Sequence, residues 1–233
     1  MSQMLRANCS GVAMEVSSHA LDLQRVAGID YDVAVFTNLS QDHLDYHGTM
    51  KKYFEAKTKL FLALGSMRKR GRAVVNTDNE YGRRLIARLG GENAVVTYGV
   101  SSDAAIRALD VRVSADGTYF VVRTPQGSVS VALPLIGRYN VANALAAIGA
   151  ALSLGIDLGS IERALSTMRP VPGRMEVMDV KQEFHVYVDY AHTDDALRNL
   201  LETARPLAPG RLITVFGCGG DRDRTKRPLM GAV

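Results

Sequence analysis

The sequence predicts an α/β protein built on a doubly wound, mostly parallel sheet, and three observations carry that prediction. Short β-branched runs alternate with amphipathic helical stretches, and one such run, YDVAVFTNL (Tyr31 to Leu39), is apolar almost throughout. The 21 glycines, with no tryptophan, suit many tight strand-to-helix turns. Continuous apolarity marks a strand buried on both faces, the habit of parallel sheets. Strands alternating with helices supply the crossovers such a sheet needs.

Each element has its own signal. GVAMEVS (Gly11 to Ser17) reads as a first strand, and Ser18 to Arg25 as a helix capped by Ser17 or Ser18. Tyr31 to Leu39 is the second strand, Ser40 to Gly48 a polar turn, and Thr49 to Leu64 a long helix. A strand at Ala73 to Thr77, a helix at Glu80 to Leu89 and a strand at Ala94 to Gly99 continue the pattern. Between Ala105 and Leu135 the period becomes two, and the turn pairs Asp116-Gly117 and Gln126-Gly127 predict an antiparallel flap or hairpin set. Helices follow at Asn140 to Leu154 and Ser160 to Met168. RPVPGR (Arg169 to Arg174) is the most linker-like stretch, so the boundary falls there, between a domain of residues 1–169 and one of 170–233. The second domain opens with FHVYVDY (Phe184 to Tyr190), a helix at Thr193 to Arg205, the strand RLITVFG (Arg211 to Gly217) and the start of a further helix in RPLMGAV.

Composition narrows the function. With 47% hydrophobic and 22% charged residues in 233, the chain is a globular protein, not a disordered one. No run of 18 uncharged apolar residues occurs and the N-terminus lacks a signal-peptide layout, so neither membrane insertion nor export is expected and a cytoplasmic setting is. The net charge of +4 is diffuse, which suits an anionic small molecule and gives no nucleic-acid groove. Cys9 and Cys218 have neither disulfide-framework nor zinc spacing.

The chemistry-bearing residues cluster in a few segments. In TMKKYFEAKTKLFLAL the residues Met50, Tyr53, Phe54, Leu60, Phe61 and Leu64 form one apolar stripe with Lys57 in its middle. Such a lysine either snorkels to the helix edge or sits in a pocket that depresses its pKa and makes its amine nucleophilic toward carbon dioxide. Carbamylation would put a carboxylate there. Glu15 in the predicted first strand must pair with a cation or lie at the carboxyl edge of the sheet, where doubly wound folds bind ligands. His43 falls at the same edge. Glu15, His43 and a carbamylated Lys57 could together hold magnesium, with manganese as the alternative better suited to histidine.

Five segments, MEVSSHAL, FTNLSQDHLDYHG, FEAKTKLF, VDYAHTDDAL and FGCGGDRDRTKRPLMG, resemble the Mur ligases in order and over nearly the whole chain. The resemblance implies an ATP-dependent amide ligase of peptidoglycan precursor synthesis, with a central ATPase domain and a Rossmann-like C-terminal domain. It would join a diamino acid, with meso-2,6-diaminopimelate favoured over lysine, to the D-Glu of UDP-MurNAc-L-Ala-D-Glu through an acyl phosphate. It implies ATP and Mg2+ as cofactors and a monomeric enzyme. Glu15 and His43 match metal ligands, and Lys57 the carbamylated lysine, which is also a catalytic position. Ser17 and Arg25 match substrate contacts, while Leu23 stands where some members have glutamine. Asn140, Asn143, Arg174 and Tyr190 match nucleotide contacts. Asp189 and His192 match catalytic positions in the nucleotide-facing loop, and Arg222 a contact to the incoming amino acid. Asp194 and Asp195 read as helix N-terminal charges.

The family's Gly-Thr-Asn-Gly-Lys-Thr phosphate loop and its D-N-P-R selector have no counterpart in these residues. The sequence is therefore expected to be an internal fragment with an incomplete central sheet, catalytically silent alone. A silent binding fragment, and another Mur or folylpolyglutamate-type ligase, are the alternatives.

Overall fold

The computed structural model describes residues 2–64, 69–90, 95–178, 180–219 and 224–233. Its centre is a six-stranded sheet in which every strand lies beside its neighbour in sequence: β1 (Val33–Phe36), β2 (Arg72–Asn76), β3 (Val95–Gly99), β4 (Ile106–Ser114), β5 (Gly117–Thr124) and β6 (Gly127–Leu133). The ladders from β1 to β4 are parallel, and those from β4 to β6 antiparallel. The hairpin set predicted at Ala105 to Leu135 thus forms, but as a continuation of the main sheet, because β4 pairs with β3 through Ile106 and Arg107.

Alternation along β2 shows why the sheet is covered on both sides. Ala73, Val74 and Val75 are all fully buried, yet Val74 belongs to one apolar cluster and its two neighbours to another, since successive side chains point to opposite faces. The Val74 face is covered by α6 (Arg138–Ser153) and α7 (Leu158–Ser166), the other by α4 (Met50–Ala63) and α5 (Glu80–Leu89). Helix starts coincide with side-chain caps: Thr49 accepts from Lys52 N, Asn79 from Tyr81 N and Asp157 from Ser160 N.

Before the sheet lie α1 (Ser2–Arg6) and α2 (Ser18–Asp22), the latter capped by the Ser17 hydroxyl. The predicted strand Gly11 to Ser17 does not form; from Gly11 to Glu15 the segment is exposed. No described strand lies beside it, and a strand without a partner has nothing to satisfy its backbone. The polar stretch after β1 carries a short helix, α3 (Leu44–His47), rather than a simple turn.

Beyond Arg174 the described chain forms a two-stranded antiparallel ladder, β7 (Glu176–Val177) with β8 (Tyr187–Val188), then α8 (Asp194–Ala204), one 3-10 turn (Arg205–Leu207) and α9 (Lys226–Gly231). Only two residues of the strand expected at Phe184 to Tyr190 are laddered, and Arg211 to Gly217 forms none. The reason is again a missing partner: Ile213 and Val215 are 71% and 94% exposed. Asp194 and Asp195 occupy the first turn of α8 behind the Thr193 cap, as their charge predicts. A small apolar cluster of Ile136, Met175 and Ala204 joins this region to the base of α6.

Candidate active site

Helix α4 presents Tyr53, Phe54, Phe61 and the following Leu64 as a buried stripe, so Lys57, one turn from Tyr53 and Phe61, is drawn onto the same face. Its Nζ sits 5.3 Å from the Tyr53 ring centroid and makes no hydrogen bond or ion pair among the described residues. Burial lowers the amine's pKa, and the Glu15 charge opposes this in part. The lysine does not snorkel to an anionic partner.

His43 meets the same ring edge-on. It takes a left-handed backbone (φ 54, ψ 25) ahead of α3, and its imidazole lies 5.8 Å from the Tyr53 ring, centroid to centroid. Its backbone N–H donates to Asp42 Oδ1 at 2.8 Å, and its Nε2 lies 3.7 Å from Asp42 Oδ2. Burial lowers the imidazole's pKa despite Asp42. Glu15 lies on the exposed, unladdered segment and not inside a strand, but its charge is felt at both Lys57 and Tyr53. Burial first, then Asp42 and Glu15, push the Tyr53 hydroxyl up to about 12. Lys57 and His43 thus both approach one buried tyrosine, and the charge of Glu15 is felt there.

No three His, Cys, Asp or Glu side chains among the described residues are grouped to hold a metal. The expected set contains only two such residues, and a lysine amine is no ligand for a hard cation. A carbamate at Lys57 would make the set two carboxylates and one imidazole, an oxygen-rich combination that fits magnesium or manganese, and a lowered pKa favours the neutral amine, the form that attacks carbon dioxide and then loses a proton.

Sequence reasoning missed the packing around this centre. His47 is 6% exposed, stacks on Tyr53 at 5.0 Å and meets Ser18 Oγ through Nε2 at 2.8 Å. His19 is in ring contact with His43, Tyr46 and His47. Aromatic spacing in SQDHLDYHG was the available signal. Ser17 spends its oxygen on the α2 cap, accepting from Ala20 N at 3.1 Å. Leu23 and Arg25 are exposed at the far end of α2, and Arg222 lies outside the described residues. An open cleft beside α4 is lined by Asp22, Tyr46, His47, Lys52, Glu55 and Lys59, among others, without Lys57.

A second cluster lies where β8 ends. The Asp189 carboxylate accepts from Met175 N at 2.9 Å and Ala191 N at 2.8 Å, which ties the linker's end to the strand. Tyr190 N donates to Gly173 O, the Arg174 guanidinium lies 5.5 Å from the Tyr190 ring, and His192 Nδ1 lies 3.0 Å from Tyr190 O. Arg174, Asp189, Tyr190 and His192 are therefore brought together. Asn140 is turned inward, donating to Ile136 O at 3.0 Å and accepting from Asn143 Nδ2 at 3.2 Å. Beside it Tyr139, absent from the sequence reading, has a buried hydroxyl with no partner. Burial and the nearby Asp189 charge push it up to about 12.

A layered α/β sheet is followed by a short second unit, and Lys57 and His43 meet at Tyr53 on the elements after β1. The sequence model of the Mur ligase middle domain matches residues 1–151 and that of the Mur ligase glutamate ligase domain residues 173–233. The chain belongs to the Mur ligase family. Within it, the chain is 49% identical over 236 residues to the UDP-N-acetylmuramoyl-L-alanyl-D-glutamate--2,6-diaminopimelate ligase of Trichormus variabilis, covering 100% of this chain and 47% of that protein. The ligase of the same name from Bacillus cereus is 48% identical over 239 residues, covering 100% and 48%. A solved structure of a ligase of that name superposes with a TM-score of 0.71 at 40% identity, covering 94% of this chain and 44% of the other. The chain spans about half the length of the curated relatives it matches.

Proposed function

We propose that this chain carries the metal-and-lysine centre and the nucleotide-facing loop of an ATP-dependent ligase that adds meso-2,6-diaminopimelate to the D-Glu of UDP-MurNAc-L-Ala-D-Glu. The approach of Lys57 and His43 to the Tyr53 ring, where the Glu15 charge is also felt, is the observation that carries this reading; the names and identities of the relatives support the substrate. The division into units at residues 169 and 170, a monomeric state and a cytoplasmic setting belong to the same proposal.

The chemistry asks the protein for positioning and electrostatics more than for covalent steps. The D-Glu carboxylate takes the terminal phosphoryl group, and the incoming amine then attacks the acyl carbon and expels phosphate. When bound, a magnesium ion would neutralise phosphate charge. Glu15, His43 and a carbamylated Lys57 would hold it. Arg174 and Tyr190 face the nucleotide with Asn143, while Asn140 fixes the helix start. Asp189 holds the loop that carries His192 toward the amine. Ser17, Arg25 and Arg222 contact the UDP-linked substrate and the amino acid.

Phosphate release is measured with UDP-MurNAc-dipeptide, ATP, magnesium and either diaminopimelate or lysine, using the polypeptide that contains these residues. Release with diaminopimelate, lowered on the order of a hundredfold by Lys57→Gln, is the expected outcome; no release with either amino acid sinks the reading. Intact mass in bicarbonate should show one added carbon dioxide on the chain, lost in Lys57→Gln.

A further inference from the structure

The loop carrying His43 is tied to the far end of the chain. Lys226 Nζ lies 2.6 Å from Asp42 Oδ1, across 184 residues, and the two side chains are only 16% and 21% exposed. Asp42 Oδ1 also accepts the His43 backbone N–H, and its Oδ2 lies 3.7 Å from the ring. One carboxylate therefore holds both the C-terminal unit and the expected metal-binding histidine. Neither residue is used by the proposed chemistry.

We propose that Asp42 and Lys226 form a clamp between the two units, and that Asp42 is a positioning residue acting through His43. Units joined by a linker and a small interface move relative to each other by default. Here one attachment is the apolar cluster of Ile136, Met175 and Ala204 at the base of α6. A single attachment leaves a hinge. The Asp42–Lys226 pair is a second attachment, after β1, and two separate points fix an orientation where one fixes only a distance. The pair is sheltered enough that removing one partner strands the other charge in a poorly solvated place, which is why such a contact opens sharply when broken. The clamp itself needs no bound ligand and stands apart from the ligase assignment, whereas the positioning role of Asp42 rests on the proposed function, in which His43 holds the metal.

Spin labels at Cys218 and at Arg88→Cys on α5, in a Cys9→Ser background, report the distance between the units. The intact chain should give one narrow distance distribution. Asp42→Asn and Lys226→Met should each lose it, the double variant should be no broader than either single one, and the charge-swapped Asp42→Lys with Lys226→Asp should recover it. The ring signal of His43 should shift in Lys226→Met even though that residue does not touch the imidazole, a response that loosened packing elsewhere would not give. If Lys226→Met unfolds by circular dichroism, Lys226→Arg decides: a retained narrow distribution supports the clamp and a broad one overturns it. Unchanged distributions in both single variants, or additive broadening, also overturn it.

Discussion

Asp78 stands just past β2 with its carboxylate turned onto the backbone N–H groups of Val100, Ser101 and Ser102, at 2.6, 3.1 and 2.7 Å. Burial works to raise its pKa, but these donors, led by Val100 N, outweigh it and hold the carboxyl below its ordinary value. A depressed folded-state pKa means that the stabilisation is present above about pH 4 and is lost as pH falls through the lower folded value. Asp78→Asn should therefore cost about 2 kcal/mol near neutrality, and the gap from the parent chain should close as pH falls below about 4. Urea unfolding at the two pH values measures both. At this scale the sequence was legible where chemistry is intrinsic to the residue. Lys57 among apolar neighbours, or His43 beside a carboxylate, can be read from spacing. Asp42 and Tyr53 could not, because their importance lies in what approaches them from segments far away in the chain.

The longer helices were legible to within two residues at each end, since their signals are local: a threonine, asparagine or aspartate two or three residues before a backbone N–H it can reach; the short α1 and α3 were not. Strands were not, because a ladder belongs to two segments at once. Gly11 to Ser17 and Arg211 to Gly217 have strand composition and no described neighbour to pair with. Helix α6 illustrates a different demand on an element. A Cβ added at Gly149 would meet Val74 Cγ1 at 2.7 Å and Ile106 Cδ1 at 3.4 Å, and both of those side chains are locked in the core. Alanine gains up to about 1 kcal/mol in helix propensity, but overpacking a core costs about 1–3 kcal/mol. Gly149→Ala is expected to lower the unfolding free energy in urea by about 1 kcal/mol; a stabilised variant would mean that α6 can lift from the sheet freely.

For the whole molecule, the apolar residues left in solvent are concentrated after Arg174, with Phe184 at 68%, Ile213 at 71% and Val215 at 94% exposure. Large apolar side chains left in solvent favour association. Val215→Lys with Ile213→Lys should reduce concentration-dependent light scattering while leaving the melting temperature of the central sheet unchanged, because neither side chain is in a core cluster. RPVPGR, a purely local signal, is what predicts the division into two units. How the units hold each other was not legible, since Asp42 and Lys226 carry no mark of one another.

The strand order has one further consequence, for the path by which the chain folds. Each strand of the sheet pairs with the next one made, so as the chain leaves the ribosome every new strand finds its edge already waiting. Little loop-closure entropy is spent at any step. The contact between residues 42 and 226 is the opposite case: it must wait until 184 further residues have been made. Assembly of the sheet and closure of the two units are thereby separated in time, the sheet first and the long-range bond after it.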